Sequence, residues 1–183
     1  MKKIITVSTI ILAGLSLAAC SNSSSVTTGN PDNYGSGKKI KSSSSASSSK
    51  TKAASSTNER IAKSLTKEFG ADTVDVKVQT DVVDDQSKTD KNGNQVPHQE
   101  IRVLVTDKKI LDKVKKDKEA IESNKANNNQ KLYILGIQET VAKQAKKLSG
   151  NDTIFFGYEI DTNQYEGVAL ANKDKNIIHE VEI

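Results

Sequence analysis

Between residues 21 and 57 the chain offers a core almost nothing to bury. The run Ser42-Ser43-Ser44-Ser45-Ala46-Ser47-Ser48-Ser49 and further Ser, Thr, Gly and Asn leave Val26, Tyr34 and Ile40 as the only sizeable apolar groups. Such a stretch cannot offset the entropy of ordering its own backbone. It reads as a disordered tether, with an r.m.s. span of roughly 35 Å and a fully extended limit of roughly 120 to 130 Å. A glycosylated Ser/Thr stalk is the alternative for the same composition. Residues 58 to 183 are left to fold, enough for one core and too few for two comfortable ones.

Ahead of the tether, Met1-Lys2-Lys3 is followed by an apolar run from Ile4 to Leu17 and by Ala18-Ala19-Cys20. Two lysines, a short apolar stretch and small residues before a cleavage point give the layout of a secretory signal peptide over residues 1 to 19. The apolar run is too short to persist as a membrane-spanning helix. Leu17-Ala18-Ala19-Cys20 resembles the lipobox of bacterial lipoproteins, a resemblance covering residues 1 to 20. It implies that the Cys20 thiol receives a diacylglyceryl group and becomes the first mature residue. Cys20 is also the only cysteine in the chain, so no internal disulfide can form and the thiol has another use. Two acyl chains, at about 0.8 kcal/mol per buried CH₂, turn marginal membrane binding into stable anchoring. The expected location is the outer face of the cell membrane, lipid-anchored, and the Ser-rich tether with a Lys/Asn-rich domain is similar to small lipoproteins of Gram-positive bacteria.

The formal charge of +4 describes the leader and tether, not the domain. Seven of the 27 basic residues (Lys2, Lys3, Lys38, Lys39, Lys41, Lys50, Lys52) and one of the 23 acidic ones (Asp32) precede Asn58, leaving 20 against 22. A slightly acidic domain excludes the nucleic-acid reading that a basic pI invites. The tether lysines suit anionic headgroups or wall polymers, where each adds on the order of 1 kcal/mol when held at the surface, and they serve solubility equally well.

Within the domain, Ser56 followed by Glu59 suggests a capping box, with Ile61, Leu65 and Phe69 at helical spacing before Gly70. Val74, Val76, Val78, Thr80 and Val82 alternate with polar residues as a half-buried strand, and Ile101, Val103 and Val105 mark its partner over Glu100 to Thr106. Asn92-Gly93 supplies a turn between them, and Pro97 belongs at an edge or bulge. Asp107 caps a helix through Ile110, Leu111, Val114 and Ile121, ended by the polar run Ser123 to Gln130. A further helix carries Ile134, Ile137, Val141, Ala145 and Leu148 and stops at Ser149-Gly150, although residues 131–137 would also suit a buried strand. Three strands in a meander follow: Thr153 to Ile160, Gln164 to Ala171 and Asn176 to Ile183. The order α-β-β-α-α-β-β-β predicts an α+β fold, an antiparallel sheet of about five strands with about three helices packed on one face.

No cofactor signature stands out. The acidic loop Asp84, Asp85, Asp90, Asn92, Asn94 fails as a calcium hand, because alignment on Gly93 puts Lys88 first and Gln99 twelfth where carboxylates are required. It reads as a solvated hairpin tip. Zinc lacks a ligand set, with Cys20 lipidated and only His98 and His179 in the chain. A Ser-His-Asp triad would need one of those histidines, yet no serine sits in a nucleophile elbow. Glu180 and Glu182 share a predicted strand face, near Glu159 and Glu166, but there is no tryptophan to platform a sugar. The lysines from Lys108 to Lys118 are interleaved with acids and read as a solvated helix face.

A reach-giving tether on a small domain without an evident catalytic set suits a non-catalytic binding or interaction module, its partner an envelope protein, a peptide or a wall polymer. An envelope hydrolase assembled from the Glu and His residues is the first alternative. Release of a leader-derived signalling peptide from Thr9 to Ala19 is the second. A two-lobed transport receptor does not fit a domain of this size.

Overall fold

The computed structural model describes residues 39–41 and 53–183; Cys20, the leader and the remainder of the tether lie outside them. The described elements run β1 (Lys39–Lys41), α1 (Ser56–Phe69), β2 (Val74–Val82), β3 (Lys88–Thr89), β4 (Gln95–Val96), β5 (His98–Val105), α2 (Lys108–Glu122), α3 (Asn128–Ala145), β6 (Thr153–Asp161) and β7 (Gln164–Asn172). The fold is α+β, as the sequence pattern indicates. Its main sheet has the order β1-β7-β6-β5-β2, and β3 and β4 form a separate two-stranded arm.

Local signals account for most boundaries. The α1 cap is Ser55, not Ser56: the Ser55 side chain accepts from the Asn58 amide, and the helix closes at Gly70 with φ 94°. Asp107 caps α2 by accepting from Ile110 N at 2.9 Å. The polar run after α2 ends one helix and starts the next, because Asn127 and Gln130 form a reciprocal capping box that opens α3 at Asn128. Residues 131–137 are therefore helical. Pro97 falls between β4 and β5, where no ladder bond is asked of it, and β2 opposite carries the irregularity between Gln79 and Val82, with Asp81 at φ 58°.

The sheet is mixed, which corrects the antiparallel expectation. β2 pairs antiparallel with β5 from Val74↔Val105 to Val82↔His98, and β6 pairs antiparallel with β7. The central pair β5 and β6 is parallel, from Glu100↔Thr153 to Leu104↔Gly157. Period-2 alternation records which face a residue occupies and carries no strand direction. Here α2 and α3 form the crossover that a parallel neighbour requires. β1, drawn from the tether, pairs with β7 at Lys39↔Glu166, Ile40↔Tyr165 and Lys41↔Gln164.

The third meander strand is absent. Asn176 makes one bridge to Ala171, and the amides of Ile177 and Ile178 both point to the Leu170 carbonyl. The segment then turns to α3, where Gln138 replaces a ladder: its Nε2 donates to the carbonyls of Val168 and His179, and its Oε1 accepts from Val181 N at 2.8 Å. One buried amide satisfies the backbone groups a strand partner would have taken.

The three described helices feed a single core against one set of sheet positions. Ile61 and Leu65 from α1, Val114 from α2, and Ile134, Ile137 and Val141 from α3 meet Ile101, Val103, Val105, Ile154, Phe156 and Tyr158. The chain's other register buries Phe155 and Leu170, with Tyr165 edge-on to Phe155 at 6.5 Å and the Arg102 guanidinium 4.8 Å over the Tyr165 ring. At Gly157 a β-carbon would press into the Glu166 carbonyl and the Phe155 ring, so that crossing requires glycine. Lys118 of α2 ties to Glu122 and, at 2.6 Å, to Glu166 of β7. Burial works to lower the Lys118 pKa, and the bonds and charges of these two glutamates outweigh it and raise it.

Candidate functional site

The residues singled out from sequence disperse. His179, within the predicted third strand of the meander, is exposed on the irregular C-terminal segment, and Glu180 accepts from Asn176 Nδ2 at 2.6 Å. Glu180 and Glu182 share no strand face because no strand forms there. Glu159 accepts from Asn163 N in the β6–β7 turn, and Glu166 is held by Lys118. At the tip of the arm, Asp90 closes the loop on itself by accepting from the amides of Asn92 and Asn94 at 2.8 Å, which holds its carboxyl below the usual range. Among the described residues no group of three or more His, Cys, Asp or Glu could hold a metal ion. No described helix is long and apolar enough to cross a membrane.

His98 does gather partners. Its Nδ1 lies 3.2 Å from Ser87 Oγ, and its Nε2 lies 3.5 Å from Thr153 Oγ1 and 3.7 Å from Asp84 Oδ1. Serine, histidine and aspartate are thus neighbours, but the arrangement is that of a latch. Ser87 Oγ accepts from Asp84 N, Asp84 accepts from Gln86 N, and only 1 % of the His98 side chain is exposed. These bonds close the turn at the base of the arm and fasten it to β5 and β6. Beside it, Glu100 pairs with Arg102 at 2.6 Å. Burial pushes the Glu100 carboxyl above its ordinary range, with Arg102 opposing.

A second polar cluster sits where α1 meets the sheet. Asn58, wholly buried, donates through Nδ2 to Gln99 Oε1 and to Asp152 Oδ2, both at 2.8 Å. Asp152 Oδ1 accepts from Gln99 N at 3.0 Å, Gln99 Oε1 also accepts from Ser55 N, and Gln99 Nε2 donates to Ala53 O. Gln99 thus holds the backbone at Ala53, just ahead of α1. The knot joins α1, β5 and the start of β6, and it is structural.

A different face of α1 is open. Thr57, Arg60, Ile61 and Ser64 recur at i, i+3, i+4 and i+7, the spacing of one helix face, and with Gln144 and Lys147 they line a cleft of about 460 Å³. Gln144, 2 % exposed, forms part of its wall. Its Nε2 donates to Ser64 Oγ and to Glu68 Oε2, both at 3.1 Å, and its Oε1 accepts from Lys147 Nζ at 2.8 Å. Arg60 stays on its own helix, donating through Nε to Ser56 O and through Nη2 to Thr57 Oγ1. Two cations, two hydroxyls and one apolar wall thus converge, with no carboxylate among the lining residues.

No family model, curated protein or solved structure matches the chain. The cleft is accordingly read from its own chemistry. The helical spacing marks Ile61 as a core position and says nothing of its polar neighbours. The 57-60-61-64 stripe was visible as a spacing, but nothing in it says that Gln144 and Lys147, some eighty positions on, would close it.

Proposed function

We propose that the chain is a lipid-anchored surface lipoprotein whose folded domain is a non-catalytic binding module. The observation that carries the anchor is Leu17-Ala18-Ala19-Cys20 at the end of a short apolar leader, with Cys20 the only cysteine in the chain. Thioether attachment of a diacylglyceryl group at Cys20 fixes the protein to the outer face of the membrane, and the Ser-rich tether holds the domain away from it. The binding role is supported by the α1–α3 cleft, an open and cation-lined recess in a domain that is acidic on balance. The partner is extracytoplasmic, an envelope molecule rather than a nucleic acid.

Labelled palmitate fed to cells expressing the chain tests the anchor. Incorporation that disappears in Cys20→Ala, together with loss of the protein from the detergent phase, is the expected result. Equal incorporation in the two chains removes the lipoprotein assignment.

A further inference from the structure

We propose that the α1–α3 cleft binds a small phosphate monoester, with the phosphate between Arg60 and Lys147 and the carbon part against Ile61. This deepens the binding-module reading above and rests on it. Each side-chain oxygen in the lining already accepts a hydrogen bond from within the cluster: Thr57 Oγ1 from Arg60, Ser64 Oγ from Gln144, Gln144 Oε1 from Lys147. Both hydroxyls therefore have their hydrogens left to give. Arg60 retains N–H groups beyond the two it places on Ser56 and Thr57, and Lys147 retains two of its three. The recess presents hydrogens and positive charge, so it suits a ligand that only accepts and is negative.

Charge then narrows the class. Glu68 is the nearest acid in the bonding network and is engaged by the Gln144 amide. Arg60 and Lys147 are thus two cations without a lining carboxylate. A phosphate monoester, close to a dianion at neutral pH, neutralises both, whereas a carboxylate neutralises one. Arginine adds planar, two-point recognition of phosphate oxygens that lysine alone does not supply. A volume of about 460 Å³ is within the range of small-molecule sites and leaves room beside the phosphate for a short carbon skeleton.

The test uses residues 20–183 produced without the leader and without lipid, so its outcome is independent of whether Cys20 is acylated in cells. Titration calorimetry with glycerol 3-phosphate should give saturable binding at one site per chain, weakened several-fold by added salt. Glycerate, with the same three-carbon skeleton and a single negative charge, should bind at least tenfold more weakly. Arg60→Gln and Lys147→Gln should each lower the affinity at least tenfold while leaving the circular dichroism spectrum and denaturation midpoint in place. Ser64→Ala should cost about threefold through the lost hydroxyl donor. Absence of saturable binding, equal affinity for glycerate, or affinity unchanged in both charge variants would overturn the proposal. Capture on phosphatidylglycerol vesicles without binding of the free monoester would also overturn it, in favour of a lipid headgroup.

Discussion

Two polar clusters stand on neighbouring faces of α1, and they are wired in opposite ways. Around Asn58 both amide hydrogens are engaged, Gln99 binds with side chain and backbone, and Asp152 accepts through both oxygens. Around Arg60 and Ser64 the oxygens are engaged but the hydrogens are left over. The first arrangement closes on itself within the fold except at Asn58 Oδ1, an acceptor buried without a hydrogen-bond partner. The second is complete only when something outside the fold supplies acceptors. A polar group's role in this molecule is thus read from which half of its hydrogen-bonding capacity is still open.

That contrast breaks most visibly at Asn58. Asn58→Asp sets a buried carboxylate against Asp152 and Gln99 Oε1, both acceptors, and should lower stability by about 3 to 5 kcal/mol in urea denaturation. A loss below about 1 kcal/mol would show that the knot is wetter than its burial implies. Gln144→Leu, in the wall of the cleft, should cost less, about 1 kcal/mol, because its partners Ser64 and Glu68 can turn to water.

Glu100 makes the closed, buried side of the fold respond to pH. Its carboxyl is raised by burial, so the folded state holds that proton more tightly than the unfolded chain does. The stability this contributes is present below the unfolded carboxylate range and is lost as pH rises through the folded value. Wild type should therefore gain on Glu100→Gln as pH falls from 7 toward about 4.3, seen as converging or crossing urea midpoints. A gap that widens in favour of the variant would mean that the Arg102 pair governs the site. The smallest effect belongs to the open cluster: Arg60→Gln should shift stability by no more than about 0.5 kcal/mol, while removing a donor the cleft needs. Matching denaturation curves for the two proteins check it.

Much of the fold is legible in the sequence, and what is not has physical causes. Asp107 before an apolar stripe and Gly70 after one mark real helix ends, since capping is a local reaction of a few backbone groups. Val74, Val76 and Val78 opposite Val105, Val103 and Ile101 follow from alternation and one turn. Strand direction for β6 was out of reach because alternation has no polarity. His179 to Ile183 alternates like a strand, yet its backbone is satisfied by the side chain of Gln138, a distant residue that no local pattern couples to it. The cleft was half visible for the same reason: α1 displays its stripe in sequence, and the α3 contribution exists only after packing.

The parallel seam between β5 and β6 has a kinetic meaning. β2 with β5 and β6 with β7 are each hairpin-like pairs that can close over modest chain separations, but the seam brings Glu100 to Thr153 and Leu104 to Gly157 across both α2 and α3. Loop-closure entropy must be met there before any ladder bond rewards it. Folding should divide into two early halves and one late joining, and the Asn58–Gln99–Asp152 bonds lie at the mouth of that join. They act as the clasp that keeps the halves from parting once they have met.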